Sequence, residues 1–188
     1  MTGATGGLLV DRRWDSDLLD STEHFTLHSH HDGYRFAGTT LIRHEGIRVE
    51  IDYVVEARPD WSTRAARIDI PAMATLFEVE VSPQGRWVIE GNHRPDLDGG
   101  VDIDLGWTPA TNTLPIRRLA FTSGIPVTTR VGWLKWSELV FMPAEQSYTK
   151  HGDGRWTYAS GSFSADLVVD ELGVVIAYGD PPIWRAVT

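Results

Sequence analysis

Between residues 101 and 119 the chain gathers the groups best equipped for chemistry: Asp102 and Asp104, Arg117 and Arg118, and the hydrogen-bonding run Thr111-Asn112-Thr113. Val101, Ile103 and Leu105 alternate with the aspartates, so a strand here puts both carboxylates on one face. Two like charges side by side favour a cation close by. The spacing predicts a loop from Thr108-Pro109 through Thr113. A second strand is expected over Leu114 to Phe121, with Pro115 near its start, where a lost ladder bond does least harm. On such a strand Arg117 and Arg118 point opposite ways, and at most one of them faces the carboxylates. One reading is a structural ion pair that pins the two strands. The other is a polar mouth, in which an arginine fork, the carboxylates and the Thr/Asn loop hold sugar hydroxyls or another polar head group.

The same stretch carries a resemblance. Asp102-Ile103-Asp104-Leu105, Thr108-Pro109 and Thr111-Asn112-Thr113-Leu114-Pro115-Ile116-Arg117-Arg118-Leu119 resemble, without a gap, the signature of the putative glycolipid-binding family, formerly a domain of unknown function. Shorter echoes at Trp61-Ser62-Thr63-Arg64, at Gln146-Ser147-Tyr148 and at Val169-Asp170 extend the resemblance over most of the chain from about Gly38 onward. It implies a curled sheet like that of lipoprotein carriers and an amphiphilic, glycolipid-like ligand. It also implies that Trp61, Arg64, Gln146 and Tyr148 join Asp102, Asp104, Trp107, Thr111, Asn112, Thr113, Arg117 and Arg118 as ligand-binding residues. Family members often carry Phe before the Thr-Asn pair; Ala110 stands there in this chain, which leaves a more open site if that ring lines it.

The elements that must position these residues read as strands throughout. Ile47, Val49, Ile51, Tyr53 and Val55 alternate with charged residues, as in a half-buried antiparallel strand. Phe77, Val79 and Val81 repeat the pattern before the turn Ser82-Pro83-Gln84-Gly85. Further strands are expected at Thr128 to Leu134, Trp136 to Met142, Gln146 to Lys150, Arg155 to Ser160, Phe163 to Val169 and Val174 to Tyr178. Turn signals recur every ~8–12 residues, as in an all-β antiparallel meander curled into a bent sheet or incomplete barrel with little helix. Ile47, Val49, Ile51, Phe77, Val79, Ile103, Leu105, Leu119, Phe163, Leu167 and Val169 are the expected core or cavity wall. Trp107, Trp133 and Trp136 are expected to line a cavity in the concave face. Residues 1–10 are expected to be a flexible N-terminus, and 11–188 a single all-β domain.

Composition removes several classes of function. The chain has 188 residues, eight Trp, no Cys and a formal net charge of −9. Without cysteine there is no disulfide, thiol nucleophile or Cys-held metal, and no cofactor is expected. The negative charge disfavours nucleic acid. No apolar run is long enough to span a membrane and no secretory signal is visible, which reads as a cytoplasmic protein. His24, His28, His30 and His31 cluster, but as a polar strand end without a marked fourth ligand. No nucleophile elbow, phosphate loop, dinucleotide fingerprint or zinc-protease motif occurs, which weighs against an enzyme. The best catalytic alternative is a carbohydrate-active hydrolase using Asp102 and Asp104, because residues i and i+2 of a strand approach the ~5–9.5 Å such pairs adopt. Nearby arginine would keep both ionised, however, and a general acid must hold its proton. A β-sheet interaction or assembly domain without a small ligand is the other alternative.

Overall fold

The structure is a computed structural model describing residues 6–187. The chain lays down β1 (Gly7–Ser16), β2 (Ser21–His30), β3 (Gly33–His44), β4 (Ile47–Ala57), β5 (Thr63–Ile70), β6 (Thr75–Val81), β7 (Trp87–Ile89) and the short β8 (Asn92–His93) as consecutive antiparallel neighbours. After a loop come β9 (Asp102–Leu105), a helical segment containing α1 (Thr113–Arg118), β10 (Val127–Lys135), β11 (Val140–Gly152), β12 (Arg155–Ser160), β13 (Phe163–Val169), β14 (Val175–Tyr178) and β15 (Trp184–Val187). Among the described residues the fifteen strands form one sheet, in which the first wing runs from β1 out to β8 and the second runs from β9 back to β15. β1 pairs with β15, so the first and last strands meet in the middle. All neighbours are antiparallel except β9, which lies parallel to β10.

The sheet curls because one face of nearly every strand is apolar. Val49, Ile51, Tyr53 and Val55 of β4 are buried while Arg48, Glu50 and Asp52 are exposed. The two wings therefore fold toward each other and touch across the gap. The Thr63 N–H bonds the Val101 carbonyl at 2.9 Å, and the Ile103 N–H returns to Thr63 Oγ1 at 3.0 Å. Phe77 of β6 meets Phe141 of β11 edge to face, with centroids 5.5 Å apart. These are point contacts and not a ladder. The result is the open, incomplete barrel expected from the strand and turn spacing.

Three expectations need correction. The segment after Thr108-Pro109 is helical: a 3₁₀ turn at Ala110–Asn112 runs into α1, where a strand over Leu114 to Phe121 was expected. Pro109 opens that segment and Pro115 sits in the first turn of α1, where a missing N–H leaves no bond unmade. Trp136 to Met142 is not a separate strand, since β11 runs unbroken from Val140 to Gly152. Ile47 and Phe163 lie at hairpin ends and are 57% and 45% exposed, outside the core. β1 begins at Gly7; residues 1–5 of the expected flexible N-terminus lie outside the described residues. The remaining expected core holds, with Val49, Ile51, Val79, Ile103, Leu105, Leu167 and Val169 buried and Phe77 and Leu119 half-buried.

The core has two parts, and the helical segment joins them. Trp14, Phe25, Ile51, Trp87 and Trp107 centre the larger cluster, while Trp156, Tyr158, Leu167 and Tyr178 belong to the second wing. Leu114 packs into the former and Ile116 into the latter. No helix among the described residues is long and apolar enough to cross a membrane.

Candidate functional site

β9 and the helical segment decide where each chemical group goes. Asp102 and Asp104 share a face of β9, as their spacing requires, yet they meet different neighbours. Arg118, in the last turn of α1, clasps Asp102 through Nε to Oδ1 at 3.0 Å and Nη2 to Oδ2 at 2.5 Å, and also donates to Thr129 Oγ1. The Asp102 side chain is 0% exposed and that of Arg118 19%. Desolvation pushes the Asp102 carboxyl up, and the two bonds from Arg118 oppose that push. Desolvation likewise lowers the Arg118 guanidinium, which its bonds to Asp102 more than offset, leaving it raised. This is the structural ion pair, although it ties a strand to a helix and not to a second strand.

Asp104 receives no arginine. Gln146 Nε2 donates to its Oδ2 at 2.5 Å, and Thr111 Oγ1 lies 3.4 Å from Oδ1. Gln146 Oε1 accepts from Tyr148 Oη at 3.1 Å, and that phenol accepts from Asn112 Nδ2 at 2.9 Å. Desolvation pushes the Asp104 carboxyl up to about 6 despite the bonds from Gln146 and Thr111. Burial likewise holds the phenols of Tyr148, Tyr158 and Tyr178 well above the ordinary range, and the Asp104 charge adds to it.

This polar ladder forms one side of a cleft of about 570 Å³. Asp104, Thr108 and Asn112 supply its polar floor, with Trp133 beside them. Tyr158, Phe163, Tyr178, Ile183 and Trp184 from the second wing make an aromatic wall, and Leu18 and Leu19 stand at the rim. The rings touch one another: Tyr158 to Tyr178 is 5.9 Å between centroids, Tyr178 to Trp184 5.0 Å and Phe163 to Tyr178 6.3 Å.

Of the twelve residues named from the sequence, Asp104, Thr111, Asn112, Gln146 and Tyr148 therefore converge on one hydrogen-bonded group at this cleft. The others do not join them. Asp102 and Arg118 satisfy each other. Arg117 is exposed and lies 5.0 Å over the Trp61 ring, which itself stacks on Tyr34. Arg64 reaches Asp32 at 2.5 Å and Glu56 at 3.7 Å, away from the cleft. Thr113 bonds the Gly173 carbonyl at 3.2 Å. Trp107 is fully buried in the larger core, with Trp136 packed against it, so only Trp133 of the three expected tryptophans lines the cleft. Ala110 is also fully buried and does not open the cleft. His24 bonds Asp11 at 2.8 Å and the His28 and His30 rings stack; among the described residues no cluster could hold a metal ion.

The sequence reading missed the aromatic wall and Glu23. Glu23 is 5% exposed on the inner face of β2, where its Oε1 accepts from Tyr53 Oη and, at 2.8 Å, from Thr108 Oγ1. Tyr53 reaches it by lying across Gly38, whose missing side chain leaves the room: a Cβ there would stand 2.5 Å from the ring. Desolvation pushes the Glu23 carboxyl up to about 7, against the bonds from Tyr53 and Thr108. Its parity with Phe25 and Leu27 was the available signal, since residues i, i+2 and i+4 of a strand share a face.

Residues 11–185 match the sequence model of the family described as Putative glycolipid-binding. The crystal structure of a DUF1089 family protein from Pseudomonas aeruginosa is similar at 29% identity over 84% of this chain and 88% of that chain, with a TM-score of 0.74. No curated protein matches the chain.

Proposed function

Because the chain belongs to the family described as Putative glycolipid-binding, we propose that it binds an amphiphilic, glycolipid-like molecule in the cleft between the helical segment and the second wing, without catalysis. The cleft carries this reading. At about 570 Å³ it falls within the range of ligand pockets, about 300–1,000 Å³. Its two sides differ in the way an amphiphile does: the Asp104 and Asn112 floor offers hydrogen bonds to a polar head, and the wall of Tyr158, Phe163, Tyr178 and Trp184 offers apolar surface to a chain. The ladder behind the floor fixes those polar groups, so little side-chain ordering remains to be done on binding.

A hydrolase is less well supported. Its carboxylate pair would be Asp102 and Asp104, and Asp102 is fully buried and engaged by Arg118. It has no route to a substrate in the cleft.

Tryptophan fluorescence tests the reading, because Trp133 and Trp184 line the cleft. Titration with an alkyl glycoside should change the emission in a saturable way. In Ser160→Trp, which adds bulk at the cleft edge, the response should need at least about ten times more ligand. An identical response in both proteins would move the binding elsewhere.

A further inference from the structure

Asp104 is a carboxylate without a counter-charge. Among the described residues it has no salt bridge, and no Lys, Arg or His lines the cleft it borders. The protein meets the same need two residues earlier with Arg118, whereas Asp104 borders the cavity without a cation. Opposite it stand four aromatic rings in mutual contact, Tyr158, Phe163, Tyr178 and Trp184. Ring faces carry negative potential and attract cations, most strongly where water is excluded. The formal net charge of −9 adds a favourable long-range field for a cation and an unfavourable one for an anion.

We infer that the cleft takes a cationic head group, an alkylammonium or trimethylammonium, held between the Asp104 carboxylate and the Tyr158, Tyr178 and Trp184 rings. This rests on the amphiphile reading above and narrows it. The cation pairs with the Asp104 carboxylate, and its methyl or methylene surface packs against the rings. A sugar head group would engage Asn112 and Asp104 but would leave the carboxylate charge uncompensated. Burial already makes that charge hard to hold, with the carboxyl pushed up to about 6.

Calorimetric titration of the full chain with decyltrimethylammonium, decyl glucoside and decyl sulfate, each below its micelle concentration, tests this. The cation should bind at least about tenfold more tightly than the glucoside, and the sulfate most weakly. Asp104→Asn should erase the cation's advantage over the glucoside. The pH dependence gives a second readout on the unmutated protein. A trimethylammonium does not titrate, so its affinity should fall as pH drops through about 6 and Asp104 takes up a proton. Tyr148 from β11, Tyr158 from β12 and Tyr178 from β14 are all raised, but desolvation also raises Asp102 on its own strand, and Glu23, bonded to Thr108 of the cleft floor, is pushed up to about 7. The profile is therefore repeated in Glu23→Gln, where the fall through about 6 should remain, and in Asp104→Asn, where it should vanish. Glucoside binding as tight as the cation's, or a cation affinity flat from pH 8 to 5, overturns the inference and leaves the amphiphile reading standing. Binding of none of the three overturns both.

Discussion

Two aspartates two positions apart end in different chemistry because only Asp102 has an arginine. Removing Arg118 alone leaves a fully buried carboxylate without its partner, so Arg118→Ala should destabilise by about 3–5 kcal/mol, and adding Asp102→Ala should recover part of the loss. Arg117→Ala removes only an exposed contact over Trp61 and should cost less than about 1 kcal/mol. Urea unfolding of the variants decides both. Glu23 makes the second residue-scale prediction. Its carboxyl holds a proton more tightly folded, at about 7, than its ordinary value of 4.5. The folded state thus binds the extra proton, and the stability this carries is complete below about pH 4.5 and is lost as pH rises through 7. The fall should approach about 3 kcal/mol, because each pH unit separating the folded and unfolded values is worth about 1.4 kcal/mol. Glu23→Gln should flatten most of it; an unchanged pH profile would refute the role given to Glu23. The shared face of Asp102 and Asp104 was legible from strand period alone. Glu23 was harder to read, because a charged residue in an alternating strand is normally on the solvent side.

At the scale of elements, the helical segment is what the sequence pattern disguised. Leu114, Ile116 and the flanking polar residues fit a two-residue period, and that pattern outweighed the start signal in Thr108-Pro109. The local chemistry favours the helix. Thr108 Oγ1 accepts the Ala110 N–H at 3.1 Å, and Arg117 and Arg118 sit at the C-terminal end, where the helix dipole favours cations. The change matters for function: on a strand the two arginines would oppose each other across a sheet, whereas in the helical segment Arg118 of α1 turns under to Asp102 and Asn112 of the 3₁₀ turn faces the cleft. Leu114 and Ile116 wedge this segment between the wings. Leu114→Ala should therefore destabilise by about 2–5 kcal/mol by thermal or urea unfolding, as expected for a fully buried aliphatic. A loss under about half a kcal/mol would mean that the segment is only laid over the opening.

At the scale of the molecule, the curled antiparallel sheet followed from alternation and turn spacing, both local properties. The cleft did not, because it forms where the helical segment meets strands of the second wing that lie far from it in sequence. Tyr158 and Tyr178 read as ordinary inward strand residues, and only the tertiary arrangement leaves space in front of them. Thr63 holds the wings together at β9, and the helical segment closes part of the remaining opening. The cleft, about 570 Å³ with one polar and one aromatic side, is the space the proposed amphiphile fills. Native mass spectrometry of the protein after incubation with a mixed lipid extract, run beside Ser160→Trp, tests that most directly. The unmutated protein should carry a species of lipid mass, one per chain, that survives gentle desolvation and is lost from Ser160→Trp. A bare unmutated chain, or equal retention by both, would contradict it.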